Sequence, residues 1–254
     1  MQSSDTFEDF GPLNQNTLEA NIDERTRGEI TTDADLSYIL NTPKLTLSNS
    51  LIRLEPFKYL WDISKLLTED ECQLLIDRTE EIGYGRTQYN PKYRGNLRLI
   101  LNDCNLASSL WPRIQVLLGP DFSLLDKHKG KWIPIGLNSR FRFAKYYPGD
   151  AFGRHADDCY IEKENSLMSM LTVNIYLNDC TSGATRFYYY ADDKEDKKEK
   201  EEKEHKDQII DVLPTTGRCV IFRQLPGAEY IHAGLKVESD FKFLMRTDVM
   251  FVQP

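Results

Sequence analysis

Two histidines and one aspartate in the second half of the chain are of the types that bind a transition metal. His155 and Asp157 are separated by a single residue, and His232 lies far downstream. Side chains two positions apart point the same way only on an extended strand, so the pair indicates a strand or its end, with His232 supplied by another strand. Two imidazoles and one carboxylate on one face of Fe(II) leave positions open for a chelating co-substrate and O2. A non-haem iron site is therefore the hypothesis to test.

The chain has four histidines, and the other two are weaker candidates for a metal ligand. His128 lies between two lysines, and His205 lies within the charged run 192–207. Segments of that composition are typical of solvated surface. Elimination leaves His155 and His232 as the imidazole pair.

Arg246 is a candidate for binding a carboxylate near this site. It interrupts the apolar segment 241–251, which reads as a strand. A guanidinium binds a carboxylate through two parallel hydrogen bonds, so Arg246 is placed to hold the far end of a dicarboxylate whose near end chelates the metal. The alternative is an edge-strand arginine whose stem covers apolar surface and whose head reaches water.

Three segments, in this order, resemble the prolyl 4-hydroxylase-like family of Fe(II)- and 2-oxoglutarate-dependent dioxygenases. Residues 140–157 are similar to the family's strand, Tyr-x-Pro-Gly turn and His-x-Asp pair, and residues 171–187 to its Tyr-Leu-Asn strand and Gly-Gly-x-Thr-x-Phe turn. The third segment is His232 with its Ala-Gly neighbours, followed by residues 246–251. The resemblance covers about Leu54 to Phe251. Ala184 departs from the family's second glycine or acidic neighbour, and collagen-type members commonly have Lys where this chain offers Arg246.

The resemblance implies a role for each of these residues. His155, Asp157 and His232 would be the iron ligands, and Arg246 would anchor the distal carboxylate of 2-oxoglutarate. Tyr176 or Tyr147 would donate a hydrogen bond from its hydroxyl to the same co-substrate. Fe(II), 2-oxoglutarate as co-substrate and ascorbate as reductant are the implied cofactors. The implied reaction hydroxylates a C–H bond of a peptidyl substrate, for example a prolyl residue, and releases succinate and CO2.

Two other functions remain open at this stage. One is a small-molecule hydroxylase with the same mechanism. The other is a non-catalytic jelly-roll binding module, although a site that had lost its activity would have no physical reason to retain all four of His155, Asp157, His232 and Arg246. A net charge of −8 and a pI near 5.2 provide no basic surface for nucleic acid, so no nucleic-acid partner is expected, and a nucleic-acid demethylase is disfavoured.

From Lys131 onward, short aromatic and β-branched runs alternate with Gly, Pro and Asp, which is typical of antiparallel strands. We predict a mainly β protein with supporting helices and a double-stranded β-helix (jelly-roll) core. In the strand 167–177, Met168, Met170, Thr172, Asn174 and Tyr176 share the face expected to line the cavity. The predicted strands are 139–146, 167–177, 185–190, 207–213, 219–223, 229–233 and 241–251.

The 254 residues are long enough for one large β-rich domain. Residues 1–50 are predicted to be a flexible polar arm, and residues 51–254 the dioxygenase domain. Within that domain we expect helical support over about 51–130, the jelly-roll core over about 131–254 and a charged insertion over about 191–207.

Two helices are predicted within the supporting region. Thr68 should cap the first, which Gly83 ends, and residues 107–118 should form the second, with Pro112 in its first turn. The cations of residues 93–98 are expected near the rim of the active site, where substrate contact is a possible role.

The five cysteines are scattered and odd in number, which indicates reduced thiols. The first residues contain no basic head followed by an apolar stretch, and no run of about 18 apolar residues is present. We therefore expect a cytoplasmic or nuclear protein that does not bind membranes.

Overall fold

Strands are the main regular elements of the computed structural model, which describes residues 24–40, 51–126, 130–162, 167–190, 208–224 and 230–253. The predicted charged insertion, and the parts of the predicted arm at 1–23 and 41–50, lie outside the described residues. In chain order the strands are β1 (Ile30–Asp33), β2 (Leu51–Arg53), β3 (Leu60–Ile63), β4 (Gly85–Arg86), β5 (Leu97–Asn102), β6 (Leu124–Asp126), β7 (Gly130–Leu137), β8 (Arg140–Tyr146), β9 (Phe152–His155), β10 (Ile161–Glu162), β11 (Leu167–Tyr176), β12 (Thr185–Tyr189), β13 (Gln208–Val212), β14 (Cys219–Arg223), β15 (His232–Gly234) and β16 (Lys242–Val252). The helices are α1 (Glu69–Ile82) and α2 (Cys104–Leu118), with a 3-10 turn at Ser37–Ile39.

The strands form two facing sheets, as the predicted jelly roll requires. The central path of the larger sheet runs β1-β5-β8-β16-β11-β14-β3-β2, and the smaller sheet runs β13-β12-β15-β9. Apart from the parallel pair β1 and β5, the pairings between these strands are antiparallel. Leu171, Val173 and Ile175 of β11 pack into the core on the helical side of the larger sheet. The opposite face of β11 looks toward the smaller sheet, and the space between the sheets holds the site.

Helix α1 begins and ends where the sequence predicts. The Thr68 hydroxyl accepts the N–H of Glu71 at 3.2 Å, and the Glu71 carboxylate accepts the N–H of Thr68 at 2.9 Å, which completes a capping box. Gly83 follows with φ +94°, a left-handed conformation that glycine adopts without strain. Glu71 also receives two bonds from Arg113 of α2, at 2.6 and 2.9 Å, so a buried ion pair ties the helices together.

Helix α2 begins earlier than predicted, and Pro112 consequently lies in its interior and not in its first turn. Asp103 is the N-cap, and its carboxylate accepts the N–H of Leu106 at 2.8 Å. The capping bond sets the start of the helix, whereas the prediction placed the proline where its missing N–H costs least. Gly119, with φ +86°, follows Leu118, so the helix ends at its predicted last residue.

Residues 24–40 are part of the fold, so a flexible arm reaching residue 50 is wrong for this stretch. β1 extends the larger sheet beside β5, and Leu36 and Ile39 are buried in the main core. Leu36 and Ile39 were not recognised as core residues, because the segment that contains them is mostly polar. The region 51–130 also contains strands β2–β6 in addition to the two helices.

A register shift in β11 between Ser169 and Leu171 alters the predicted facing of its first residues. Met170 packs into the helical-side core, while the Ser169 hydroxyl bonds Gln224 at 2.7 Å on the side of the site. A bulge inserts one residue and reverses the alternation before it. Thr172 and Asn174, which follow the bulge, face the site as predicted.

None of the helices in the described parts of the chain is long and apolar enough to cross a membrane. All five cysteines are free thiols.

Candidate metal centre and active site

His155, Asp157 and His232 come together between the two sheets, with one potential ligand atom of each within 4.8 Å of the others. The Nε2 atoms of His155 and His232 lie 3.7 and 3.8 Å from the two carboxylate oxygens of Asp157. These separations are longer than hydrogen bonds. The three ligand candidates therefore converge without being bonded to one another, as side chains around a single ion do.

Strand pairing positions the two imidazoles. β9 and β15 are neighbours in the smaller sheet, and their register places His155 directly opposite His232, with ring centroids 4.2 Å apart. Asp157 follows β9, and the hydroxyl of Thr172 donates to its carboxylate at 2.9 Å from the larger sheet. The smaller sheet thus positions the two imidazoles, and Thr172 of the larger sheet holds the carboxylate.

Backbone carbonyls orient both imidazole rings. Nδ1 of His155 lies 2.8 Å from the carbonyl oxygen of Gly153, and Nδ1 of His232 lies 3.0 Å from that of Tyr230. With the proton on Nδ1, each Nε2 presents its lone pair toward the other ligands. Metal-binding histidines are commonly oriented in this way.

The protonation states suit metal binding. Burial lowers the pKa of His155 to about 4, assisted by the nearby His232, and burial also lowers the pKa of His232. Burial alone would raise the pKa of Asp157, but Arg246 and the two imidazoles outweigh it and hold that pKa at about 2. The imidazoles are neutral and the carboxylate is charged at neutral pH, which are the forms that bind a metal.

We therefore expect metal affinity to vary little between pH 7.5 and 5.5. Two imidazoles with an ordinary pKa near 6.5 would each lose about 10-fold in their neutral fraction over this range, or about 100-fold together. Because the pKa of His155 lies near 4 and burial also lowers the pKa of His232, protons compete with the metal mainly at lower pH. Anaerobic Mn(II) titration by electron paramagnetic resonance at both pH values measures this. A 100-fold weakening at pH 5.5 would contradict the expectation.

The ligands open onto a cavity of about 540 Å³, a volume that includes its mouth. The cations of residues 93–98 reach it, in agreement with their expected place at the rim. The lining residues are Arg94, Arg98, Arg142, Ala144, Tyr146, Phe152, His155, Asp157, Asn174, Thr185, His232, Gly234, Lys242, Leu244 and Arg246.

Arg246 lies in the cavity with its guanidinium already held by carboxylates. It contacts Asp157 at 2.7 Å and Asp248 at 3.2 Å. Asp248 is buried and also accepts hydrogen bonds from Arg142 at 3.1 Å and Gln224 at 2.7 Å. The edge-strand alternative is wrong, because β16 pairs with β8 on one side and with β11 on the other. In this structure Arg246 fixes the carboxylate of Asp157.

Lys242 is a cavity cation that the sequence reasoning missed. It is 1% exposed, its ammonium donates to the carbonyl oxygen of Gly183 at 2.5 Å, and it faces the rings of Tyr146 and Tyr176 at 5.0 and 5.6 Å. Within the described residues Lys242 forms no ion pair with a carboxylate, and burial lowers its pKa to about 8. The available signal was its place on the same strand face as Arg246, four positions away.

The two tyrosines named as hydroxyl donors do not line the cavity. The hydroxyl of Tyr147 bonds Glu24, because this residue follows the end of β8 and turns outward, and the preceding Tyr146 is the one that reaches the cavity. Tyr176 is fully buried between the sheets, and its hydroxyl donates to that of Thr185 at 2.7 Å. Tyr176 therefore reaches the cavity only through Thr185. The other two histidines of the chain lie outside the described residues.

Residues 141–247 match the family model of the 2OG-Fe(II) oxygenase superfamily. Among solved structures, the chain is similar to a prolyl-4-hydroxylase from Pseudomonas putida, with 16% identity, a TM-score of 0.51 and coverage of 76% of this chain and 92% of that one. It is also similar to a prolyl hydroxylase from Trichoplax adhaerens in complex with a hypoxia inducible factor oxygen degradation domain peptide fragment, with 14% identity, a TM-score of 0.52 and coverage of 75% and 82%. A comparison with curated proteins gives no match.

At these identities the solved structures show a shared fold, and the family match identifies the chemistry. The matched segment contains His155, Asp157 and His232, the three side chains that converge in the cavity. Residues 141–247 are accordingly similar to the 2OG-Fe(II) oxygenase superfamily, and the chain is a dioxygenase that uses Fe(II) and 2-oxoglutarate.

Proposed function

We propose that this dioxygenase hydroxylates a C–H bond of a peptidyl substrate, for example a prolyl residue, and releases succinate and CO2. The observation that carries the proposal is the convergence of His155, Asp157 and His232 in a cavity that also holds the buried cation Lys242. A cavity with a metal ligand set and a separate cation suits a dicarboxylate that chelates the metal at one end.

The residues present fit the iron and its co-substrate. We assign Nε2 of His155, Nε2 of His232 and the carboxylate of Asp157 as the iron ligands. Asn174 lines the same cavity, and its buried side-chain oxygen has no hydrogen-bond partner in the described structure, so the cavity retains polar capacity for a ligand. When bound, Fe(II) supplies the oxidative chemistry that couples decarboxylation of 2-oxoglutarate to insertion of an oxygen atom into a C–H bond.

The protein's own residues orient and shield this centre. Arg246 and Thr172 hold the carboxylate of Asp157. The ring of Phe152 stacks on His155 at 3.7 Å, and Phe222 contacts the ring of His232 edge to face at 4.8 Å. These rings exclude water from the imidazoles, which strengthens the electrostatic interactions of the site.

One observation favours a peptide over a free small molecule. The Trichoplax enzyme, which has a similar fold, is in complex with a peptide. Ascorbate as reductant and a cytoplasmic or nuclear location remain expectations from the sequence.

The test supplies the purified protein with Fe(II), 2-oxoglutarate, ascorbate and O2, together with either a pool of proline-containing peptides or a pool of free amino acids and small carboxylic acids. We expect succinate release coupled to a mass gain of one oxygen atom on a peptide. His155→Ala is the control and should abolish both signals. Coupled oxidation in the small-molecule pool alone would replace the peptidyl proposal, and absence of any 2-oxoglutarate turnover would favour a binding module.

A further inference from the structure

The cavity contains five cations in a protein whose net charge is −8. Three of them are neutralised by carboxylates of the protein. Arg98 pairs with Glu29, and Arg142 and Arg246 share Asp248, in addition to the contact of Arg246 with Asp157. The remaining two cations are Lys242 and Arg94.

Arg94 has only neutral partners in the described structure. Its Nε donates to the side-chain oxygen of Asn96 at 3.2 Å, and its guanidinium lies over the rings of Phe152 and Tyr89 at 4.3 and 5.4 Å. Within the part of the chain that the structure describes, no carboxylate lies within 4 Å of it. Burial lowers the pKa of Arg94, which reflects a charge that is partly withdrawn from water without a counter-ion.

The position of Arg94 relates it directly to the metal centre. Its guanidinium lies 4.3 Å from the ring of Phe152, and that ring stacks on the His155 ring at 3.7 Å. The two spacings together place Arg94 within about 8 Å of an iron-ligand imidazole. A group bound by Arg94 would therefore belong to the part of the substrate next to the oxidised carbon.

We propose that Arg94 binds a carboxylate of the substrate, so that the enzyme selects substrates with an acidic group close to the hydroxylated carbon. This inference rests on the proposed hydroxylase function. The same chemistry is available from an Asp or Glu side chain in a peptide and from a small carboxylic acid. Binding a neutral substrate would cover the guanidinium without pairing it, which costs affinity and so discriminates against that substrate.

The attraction for an anion comes from the guanidinium of Arg94 and is not a property of the whole protein surface. The negative net charge repels acidic molecules at long range, but this repulsion is screened beyond about 8 Å in physiological salt. Within the cavity, a bidentate contact with a guanidinium dominates. We therefore expect selectivity for an acidic group at one position relative to the reacting residue, and not for acidic substrates in general.

The experiment measures binding, so that it does not depend on knowing the substrate. The purified protein, loaded with Mn(II) and 2-oxoglutarate without O2, is equilibrated with peptides that contain one fixed proline and randomised flanks, and separately with small carboxylic acids and their amides. We expect the wild type to enrich Asp and Glu over Asn and Gln at one flanking position by about 10-fold or more. Enrichment confined to the small acids would identify that source of the carboxylate instead.

Variants of Arg94 make the test specific. Arg94→Gln should remove the acidic preference, and Arg94→Glu should reverse it in favour of Lys and Arg. Arg154→Gln is the matched control, because Arg154 lies on the same strand as Phe152 but is exposed, over the ring of Tyr188 at 4.0 Å. Its preference should equal that of the wild type.

Two outcomes overturn the proposal: no acidic enrichment by the wild type in either pool, or an enrichment that persists in Arg94→Gln. Thermal unfolding of each variant checks that the fold is retained. Uncoupled turnover of 2-oxoglutarate with Fe(II) and O2 is measured in parallel. If the wild type lacks this turnover, the proposed function fails, whereas turnover without acidic selectivity removes only the role of Arg94.

Discussion

Replacing His232 with alanine is expected to lower Fe(II)-dependent turnover of 2-oxoglutarate by more than about 100-fold, because even groups that only support metal ligands cost 10- to 100-fold when they are removed. His232 is 4% exposed and packs against the rings of Phe187 and Phe222. These neighbours offer no lone pair that could replace the lost Nε2. The centre would retain one imidazole and one carboxylate.

Anaerobic titration with Fe(II) and 2-oxoglutarate measures the effect through the visible charge-transfer absorption of the chelated complex. The wild type should show the band, and His232→Ala and His155→Ala should not. The double variant should be no worse than either single variant, because the ligands act as a unit. His128→Ala, a histidine that the sequence analysis rejects, is the matched control and should retain the band. A normal band in His232→Ala would remove this residue from the centre.

The ligand triad was accessible from sequence because it depends on local spacing and on residue type. His155 and Asp157 are two positions apart, a spacing at which an extended strand directs both side chains to the same face. His232 was the remaining suitable imidazole. The pairing that brings His155 opposite His232 was not predictable in the same way. β9 is only four residues long, has no alternating apolar pattern and is not among the strands predicted from residue composition.

The roles of the cavity cations could not be read from the sequence, because burial and pairing depend on distant segments. Arg246 was placed correctly on a strand facing the site, but the carboxylates that hold it were not foreseen. Lys242 resembles a surface lysine at the start of a strand, yet it is almost fully buried. Likewise, the ion pair between Arg98 and Glu29 was not predicted, because Glu29 lies in the segment whose polar composition indicated a flexible arm.

The second large effect is expected from Lys242, which we expect to bind 2-oxoglutarate. Lys242→Met should weaken 2-oxoglutarate binding by about 10- to 100-fold, the usual cost of losing a hydrogen bond to a charged group. Fe(II) binding alone should be unchanged, because Lys242 does not contact the ligands. Arg246→Met should weaken both, since Asp157 then loses a cation that holds its pKa near 2 and fixes its position. Equilibrium titration of each variant, first with Mn(II) and then with 2-oxoglutarate, separates the two effects.

Lys236→Met is the matched control, because Lys236 is exposed and pairs with Glu238 at 3.1 Å. Lys242→Arg should recover part of the affinity if charge is the essential property. The pH dependence provides an independent check, since burial lowers the pKa of Lys242 to about 8. A lysine anchor loses its charge as the pH rises from 7 to 9, and 2-oxoglutarate affinity should fall with it, whereas an arginine stays charged throughout. If the affinity of the wild type for 2-oxoglutarate stays constant over this range, and Lys242→Met binds 2-oxoglutarate as tightly as the wild type, the anchor is Arg246 instead.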